Sequence, residues 1–182
     1  AGSHESLMNV LFAEKNAPFY RFAKIIEPGY IDKNKFAEYY KKILTRYKIP
    51  IDKNLVLTIL DFTRGHPYYS QLALQQLIVY NRINNKMPTY SEIIEWMLND
   101  EKNYIEKTWE ELASSKENIR TVIAIVKYGK NIYSVLKKEH ITVGRALKTL
   151  KEKGFIFIKE DKSYELSDPL LDHWIRKKII RI

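Results

Sequence analysis

Along most of this chain apolar residues recur every three or four positions, the spacing that gathers them on one face of a helix. Phe36, Tyr39, Tyr40, Ile43, Leu44 and Tyr47 make the first such stripe, opened by a capping Asp32 and ended by Pro50. Leu55, Val56, Ile59 and Leu60 make the second, running from a capping Asp52 to Gly65 at the position after the helix end. Pro67 falls at the first position of a third helix, which carries Tyr69, Leu72, Ala73, Leu77 and Ile78 and stops near Asn84-Asn85. Thr89 or Ser91 opens a fourth through Ile93, Ile94, Trp96 and Met97. It either breaks at Asn99-Asp100 or continues to Trp109 and Leu112. Ahead of these, Leu7, Met8, Leu11 and Phe12 suggest a short helix at 5–14, and Phe19–Ile26 reads as a strand before the Pro28-Gly29 turn. A lone strand cannot satisfy its own backbone groups, so this one is expected to pair with chain outside the 182 residues.

From Ser114 the elements shorten. Ser114 and Glu117 have capping-box spacing. A helix follows with Ile119, Val122, Ile123 and Val126, closed by Gly129. A short second helix spans about 132–138. Thr142 caps a third, in which Val143, Ala146, Leu147 and Leu150 are the expected core, and Gly154 ends it. Phe155–Ile158 and Tyr164–Leu166 read as two strands around a polar turn, and a last helix starts at Pro169 with Leu170, Leu171, Trp174, Ile175 and Ile179. Three helices, a hairpin and a helix in about 65 residues is the order of a winged helix, a helix-turn-helix variant. The expected fold class is therefore mainly α: a helical bundle at 31–112, then a winged-helix domain with a small β-hairpin at 115–182.

Charge sharpens that division. Residues 116–182 carry 16 Lys and Arg against 8 Asp and Glu, whereas residues 1–115 carry 15 against 14. Nearly all of the net +9 thus sits on the helix-turn-helix pattern, as expected of a surface that meets phosphates. With Val143, Ala146, Leu147 and Leu150 inward, the third helix turns Arg145, Lys148 and Thr149 outward, toward base edges or phosphates of double-stranded DNA. Lys138, His140 and Thr142 just before it, and Lys159 and Lys162 on the hairpin, complete the expected DNA contacts. Two alternatives use the same pattern: a winged helix that binds protein and regulates, or a dimeric transcription regulator. Arg176, Lys177, Lys178 and Arg181 read as a solvated, frayed end.

Other chemistry is sparse. There is no cysteine, and the four histidines have no metal-ligand spacing, so no metal site is expected. No apolar run approaches the ~20 residues of a membrane span, and no signal peptide is visible, so a cytoplasmic protein without a membrane partner is expected. Thirteen Tyr with abundant Ile and Lys tilt the composition toward a thermophile. No acidic cluster or nucleophile–base set suggests a nuclease or other hydrolase.

One junction is not explained by helix punctuation alone. In Thr63-Arg64-Gly65-His66-Pro67-Tyr68-Tyr69, a helix end and an N1 proline account for Gly65 and Pro67. They do not account for Arg64 and His66 beside a helix N-terminus, whose free N–H groups favour anions. The run Arg64–Gln71 resembles the lid subdomain of archaeal AAA+/STAND-type P-loop ATPases, whose lid carries a Gly-x-Pro motif that answers to Gly65-His66-Pro67. Ala1–His4 with Leu7-Met8 and Pro18–Phe22 resembles the stretch after the sensor-one strand of that family. Leu166–Ile175 resembles the end of its winged helix.

The resemblance implies residues 1–30 as a remnant of the ATPase core, 31–112 as the lid and 115–182 as the winged helix. It implies that Arg21 is a catalytic arginine finger, the alternative being a surface arginine beside a strand. It implies nucleotide contacts by Arg64, His66 and Pro67, the alternatives being a helix-end cation at Arg64 and a helix cap at His66. Tyr68 and Tyr69 are expected in the core. The phosphate loop G-x-x-x-x-G-K-[S/T] is nowhere in the sequence, nor is an apolar strand ending in acidic residues. Because phosphoryl transfer rests on that cradle, this chain is expected to need no cofactor and to hydrolyse no ATP. ATP and magnesium are expected only for a longer protein that includes the missing N-terminal ATPase core and forms a homo-oligomer. Ala1–His4 then reads as native sequence; the alternative is a remnant of a cleaved tag.

Overall fold

The computed structural model describes residue 19 and residues 31–130, 132–137 and 143–181. The helix expected at 5–14, the strand expected at Phe19–Ile26 beyond Phe19 itself, and the readings of Ala1–His4 and Arg21 lie outside the described residues. The described chain is mainly helical with one two-stranded antiparallel hairpin. It divides into two compact units, Pro28–Ile105 and a second that includes Glu106–Ile182.

In the first unit α1 (Lys33–Arg46) is opened by Asp32, whose carboxylate accepts from the N–H groups of Asn34 and Lys35. Phe36, Tyr40 and Leu44 face inward, while Tyr39 and Tyr47 are exposed. The helix stops four residues before Pro50. Lys48 is left-handed (φ 57°) and the Ile49 N–H returns to the Leu44 carbonyl at 3.0 Å, so a Schellman-type cap with a lysine in glycine's place ends it. Asp52 caps α2 (Lys53–Thr63), and α3 (Pro67–Asn84) begins with Pro67 at its first position. Thr89 opens α4 (Tyr90–Asp100) in a full capping box with Glu92. The chain then breaks at Glu101 and restarts as α5 (Lys102–Ala113), so the fourth stripe is two helices.

In the second unit Ser115, rather than Ser114, caps α6 (Lys116–Tyr128) by accepting from the Asn118 N–H. Ser114 instead donates to the Glu111 carbonyl at 2.6 Å and closes α5. The capping-box register expected for Ser114 and Glu117 is therefore off by one, and Glu117 accepts from the Ser115 hydroxyl itself. Thr121, Val122, Ala124, Ile125 and Val126 are the buried residues of α6. Ile119 and Ile123, expected inward, are half-buried. With apolar residues at nearly every position from 122 to 126, the helix has no single stripe in its sequence, and its neighbours choose the face.

Those neighbours are α7 (Ile132–Lys137), α8 (Val143–Glu152), β2 and the C-terminal helix. Val143, Ala146, Leu147 and Leu150 are the buried residues of α8. Gly154 (φ 73°) ends it, with the Phe155 N–H returned to Leu150 at 2.9 Å, so the strand starts one residue later than expected. β1 (Ile156–Ile158) pairs with β2 (Tyr164–Leu166), Ile156 opposite Leu166 and Ile158 opposite Tyr164. Asp168 caps α9 (Pro169–Trp174), which widens into a π-helical segment, Ile175–Ile180. Arg176 is not part of a frayed end: it bonds the buried Asp172 carboxylate at 2.8 Å, the pairing a buried charge requires.

Glu92 offers a pH test of the α4 cap. Its carboxylate accepts from the Tyr80 hydroxyl (2.6 Å) and from the Thr89 N–H and hydroxyl (2.7 and 2.8 Å), which together lower its pKa to about 2 from 4.5. Since the folded value is the lower one, the stabilisation is present above pH 4.5 and is lost as pH falls toward 2. The melting temperature of wild type should exceed that of Glu92→Gln by a constant margin at neutral pH. By circular dichroism that margin should shrink through this window.

Candidate functional site

The sequence singles out two places, one in each unit. In the first unit, α2 ends at Thr63 and two left-handed residues follow, Arg64 (φ 53°) and Gly65 (φ 75°). Glycine takes that conformation freely, whereas for arginine it is uncommon. The turn is held by the His66 N–H to the Thr63 carbonyl (2.8 Å) and the Ile31 N–H to the Gly65 carbonyl (3.3 Å). Beneath it lies a buried polar cluster. The Thr63 and Ser70 hydroxyls are 2.8 Å apart, and the Tyr40 hydroxyl donates to the Ser70 carbonyl. Burial in this cluster pushes the Tyr40 phenol well above its ordinary range.

His66 caps α3. Its Nδ1 accepts from the Tyr69 N–H at 3.4 Å, and its ring packs on Tyr69 with centroids 4.7 Å apart. Pro67 is exposed and has no N–H to donate. Tyr69 is buried, as expected, but Tyr68 is 51% exposed and donates to the Glu101 carboxylate, which raises its own pKa to about 12. The structure thus gathers Arg64, His66 and Pro67 at one turn and gives His66 a capping bond. The expected catalytic residue, Arg21, lies outside the described residues.

In the second unit, burial of the α8 stripe leaves Arg145 and Lys148 exposed and Thr149 half-buried. Arg145 and Thr149 line an open groove of about 430 Å³ with Ser115, Glu117 and Asn118 of the α6 N-terminus. Among the described residues Arg145 makes no ion pair, and Lys148 reaches Glu152 at 3.8 Å. Such an exposed pair holds its lysine weakly.

Lys159 and Lys162 belong to the other end of α6. The Tyr164 N–H donates to the carbonyl of Gly129, the residue that closes α6. Lys130 Nζ meets Asp161 at 2.7 Å, holding that carboxyl well below the usual range. Lys159 Nζ lies 3.4 Å from Glu165. Lys162 is left-handed (φ 62°) at the exposed tip of the turn. A 13-residue helix spans about 20 Å, and Lys159 and Arg145 line different grooves at its two ends. Lys138, His140 and Thr142 lie outside the described residues.

Sequence reading missed two exposed tyrosines and a half-buried one near the hairpin. Tyr128 and Tyr164 line a groove of about 270 Å³ at the C-terminal end of α6, and Tyr133 of α7 meets Tyr164 hydroxyl to hydroxyl at 3.3 Å. That bond raises the Tyr164 pKa to about 12. Thirteen Tyr were visible in the composition, but nothing in the spacing of 128, 133 and 164 announced that Tyr164 bonds one and shares a groove with the other. Among the described residues no three His, Cys, Asp or Glu side chains are grouped so as to hold a metal ion. No described helix is long and apolar enough to cross a membrane.

No family model and no curated protein matches this chain. Among solved structures it is similar to a Walker-type ATPase of Pyrococcus abyssi, with a TM-score of 0.71 and 18% identity over 96% of this chain. At that identity the likeness is one of fold. The chain spans about half the length of that ATPase, 51% of it.

The His66 cap can be separated from any ligand role. His66→Ala should cost about 1 kcal/mol, whereas His66→Asp, a stronger cap beside the positive helix end, should match or exceed wild type. Urea denaturation checks both. Equal losses in the two variants would mean that the imidazole, and not its cap bond, is what the junction needs.

Proposed function

We propose that this chain is the lid and winged-helix portion of an archaeal AAA+-type P-loop ATPase, and that its winged helix binds double-stranded DNA. In this reading residues 31–112 are the lid and residues 115–182 the winged helix, with residues 1–30 the edge of an ATPase core. The observation that carries the DNA reading is the outer face of α8. Four buried apolar residues anchor the helix and leave Arg145 and Lys148 exposed, in the part of the chain that holds nearly all of the surplus positive charge. The ATPase reading is supported by the likeness to a Walker-type ATPase over 96% of this chain and 51% of that one.

The mechanism follows from what each unit offers. DNA binding by α8 displaces counterions from phosphates, while Arg145 and Thr149 lie within side-chain reach of base edges. In the first unit the α2–α3 turn presents Arg64, His66 and Pro67 together. In a longer protein with a phosphate loop, ATP bound there would meet Arg64 and the N-terminal end of α3, and magnesium would be held by the core. These 182 residues contain no phosphate cradle, so they sense nucleotide only with that core and do not hydrolyse it alone.

Two measurements test the reading. In fluorescence anisotropy, charge reversal at Arg145 and Lys148 (R145E/K148E) should weaken duplex binding and lower the slope of log affinity against log salt by about two, near one per lost phosphate contact. Unchanged affinity would move the unit to a protein-binding role. In isothermal titration the 182-residue chain should show no tight ATP binding, and a micromolar affinity would refute the missing-cradle reading.

A further inference from the structure

The hairpin end of the second unit differs in chemistry from the α8 face. Three of its cations are already met by carboxylates: Lys130 by Asp161 at 2.7 Å, Lys159 by Glu165 at 3.4 Å and Arg176 by Asp172 at 2.8 Å. A surface neutralised in this way is a poor track for phosphates, whose binding depends on cations that replace counterions. What it offers instead is aromatic area. Tyr128 is 47% exposed and Tyr133 54%, and each ring carries a flat apolar face beside a polar hydroxyl. Tyr164 joins them, sharing a groove with Tyr128 and a hydroxyl contact with Tyr133. Lys127 Nζ lies 5.3 Å from the centroid of the Tyr128 ring, close enough to meet a phosphate beside a base stacked on that ring.

From this we infer that the tyrosine cluster at the hairpin is a stacking platform for unpaired nucleotides, next to a duplex held on the α8 face. The inference rests on the nucleic-acid reading of this unit and names its substrate class: DNA in which a duplex meets a single strand. Base–aromatic stacking tolerates any sequence because every base has a flat face. The chain passes from α8 through Gly154 into β1. The α6 helix between the two grooves spans about 20 Å, about six base-pair steps at 3.4 Å each.

The test compares a blunt duplex with a forked duplex of the same paired sequence carrying two oligothymidine arms. Each is titrated with the full 182-residue chain in one buffer. Wild type should bind the fork at least about fivefold more tightly, the low end of what one stacked base contributes. Y128L/Y133L, which keeps apolar bulk and loses the two exposed rings, should bind both substrates equally. Y128F/Y133F, which keeps the rings, should retain the preference. R145E/K148E should weaken both substrates and leave their ratio intact, which separates this inference from the duplex reading it rests on. As a measurement independent of variants, 5-iodouridine placed in an arm next to the junction should photo-cross-link to Tyr128, Tyr133 or Tyr164 of wild type. Equal binding of fork and blunt duplex by wild type, a preference that survives Y128L/Y133L, or cross-links confined to other residues would overturn the platform and leave the duplex reading standing. Failure of wild type to bind either substrate would overturn both.

Discussion

Burial of Val143, Ala146, Leu147 and Leu150 is the constraint on which the second unit depends. A ten-residue helix is too short to persist alone in water, so α8 exists because α6 and β1 cover its stripe. A fully buried aliphatic side chain contributes about 1.5–3 kcal/mol. An exposed pair such as Lys148–Glu152 contributes a few tenths. The apolar stripe therefore decides how α8 rolls, and the outward position of Arg145 and Lys148 follows from that. The charged face is a result of the packing and has no part in causing it.

The first unit has a comparable fulcrum made of polar groups. Tyr40, Thr63 and Ser70 meet beneath the turn between α2 and α3. Buried hydroxyls are expensive to leave unpaired, so each fixes the others and the turn above them has little freedom. That rigidity is what holds Arg64 left-handed and keeps His66 where its Nδ1 can cap α3.

Net charge described the second unit in bulk but not its layout. Carboxylates answer Lys130, Lys153, Lys159 and Arg176 at 2.7–3.4 Å, while Arg145 meets none among the described residues. Two grooves of different lining result. One holds Arg145 beside Glu117, and the other holds Tyr128 and Tyr164 among Lys127, Lys159, Arg176 and two carboxylates. Both are consequences of α6, whose N-terminus lines the first and whose C-terminus lines the second.

The order of residues by itself determined most of the helices, because apolar spacing and capping residues are local. Asp32, Asp52, Pro67, Gly129, Gly154 and Pro169 each stand at a helix end in the structure as their chemistry requires. The buried face of α8 and its exposed cations were legible for the same reason. Tertiary structure decided what local rules leave degenerate. Of two adjacent serines with equal capping ability, packing assigned Ser114 to close one helix and Ser115 to open the next. Lys48 ends α1 without a glycine because Ile49 finds a place in the core. In α6 the run of apolar residues named no face until α7, α8 and β2 covered one. Ion pairing drew Arg176 out of an apparently loose tail, and the meeting of Tyr133 and Tyr164 depends on a hairpin folding back across 31 residues. A pattern of spacing records neighbours along a helix or strand, whereas these contacts are made between elements, where only the folded backbone sets the distance.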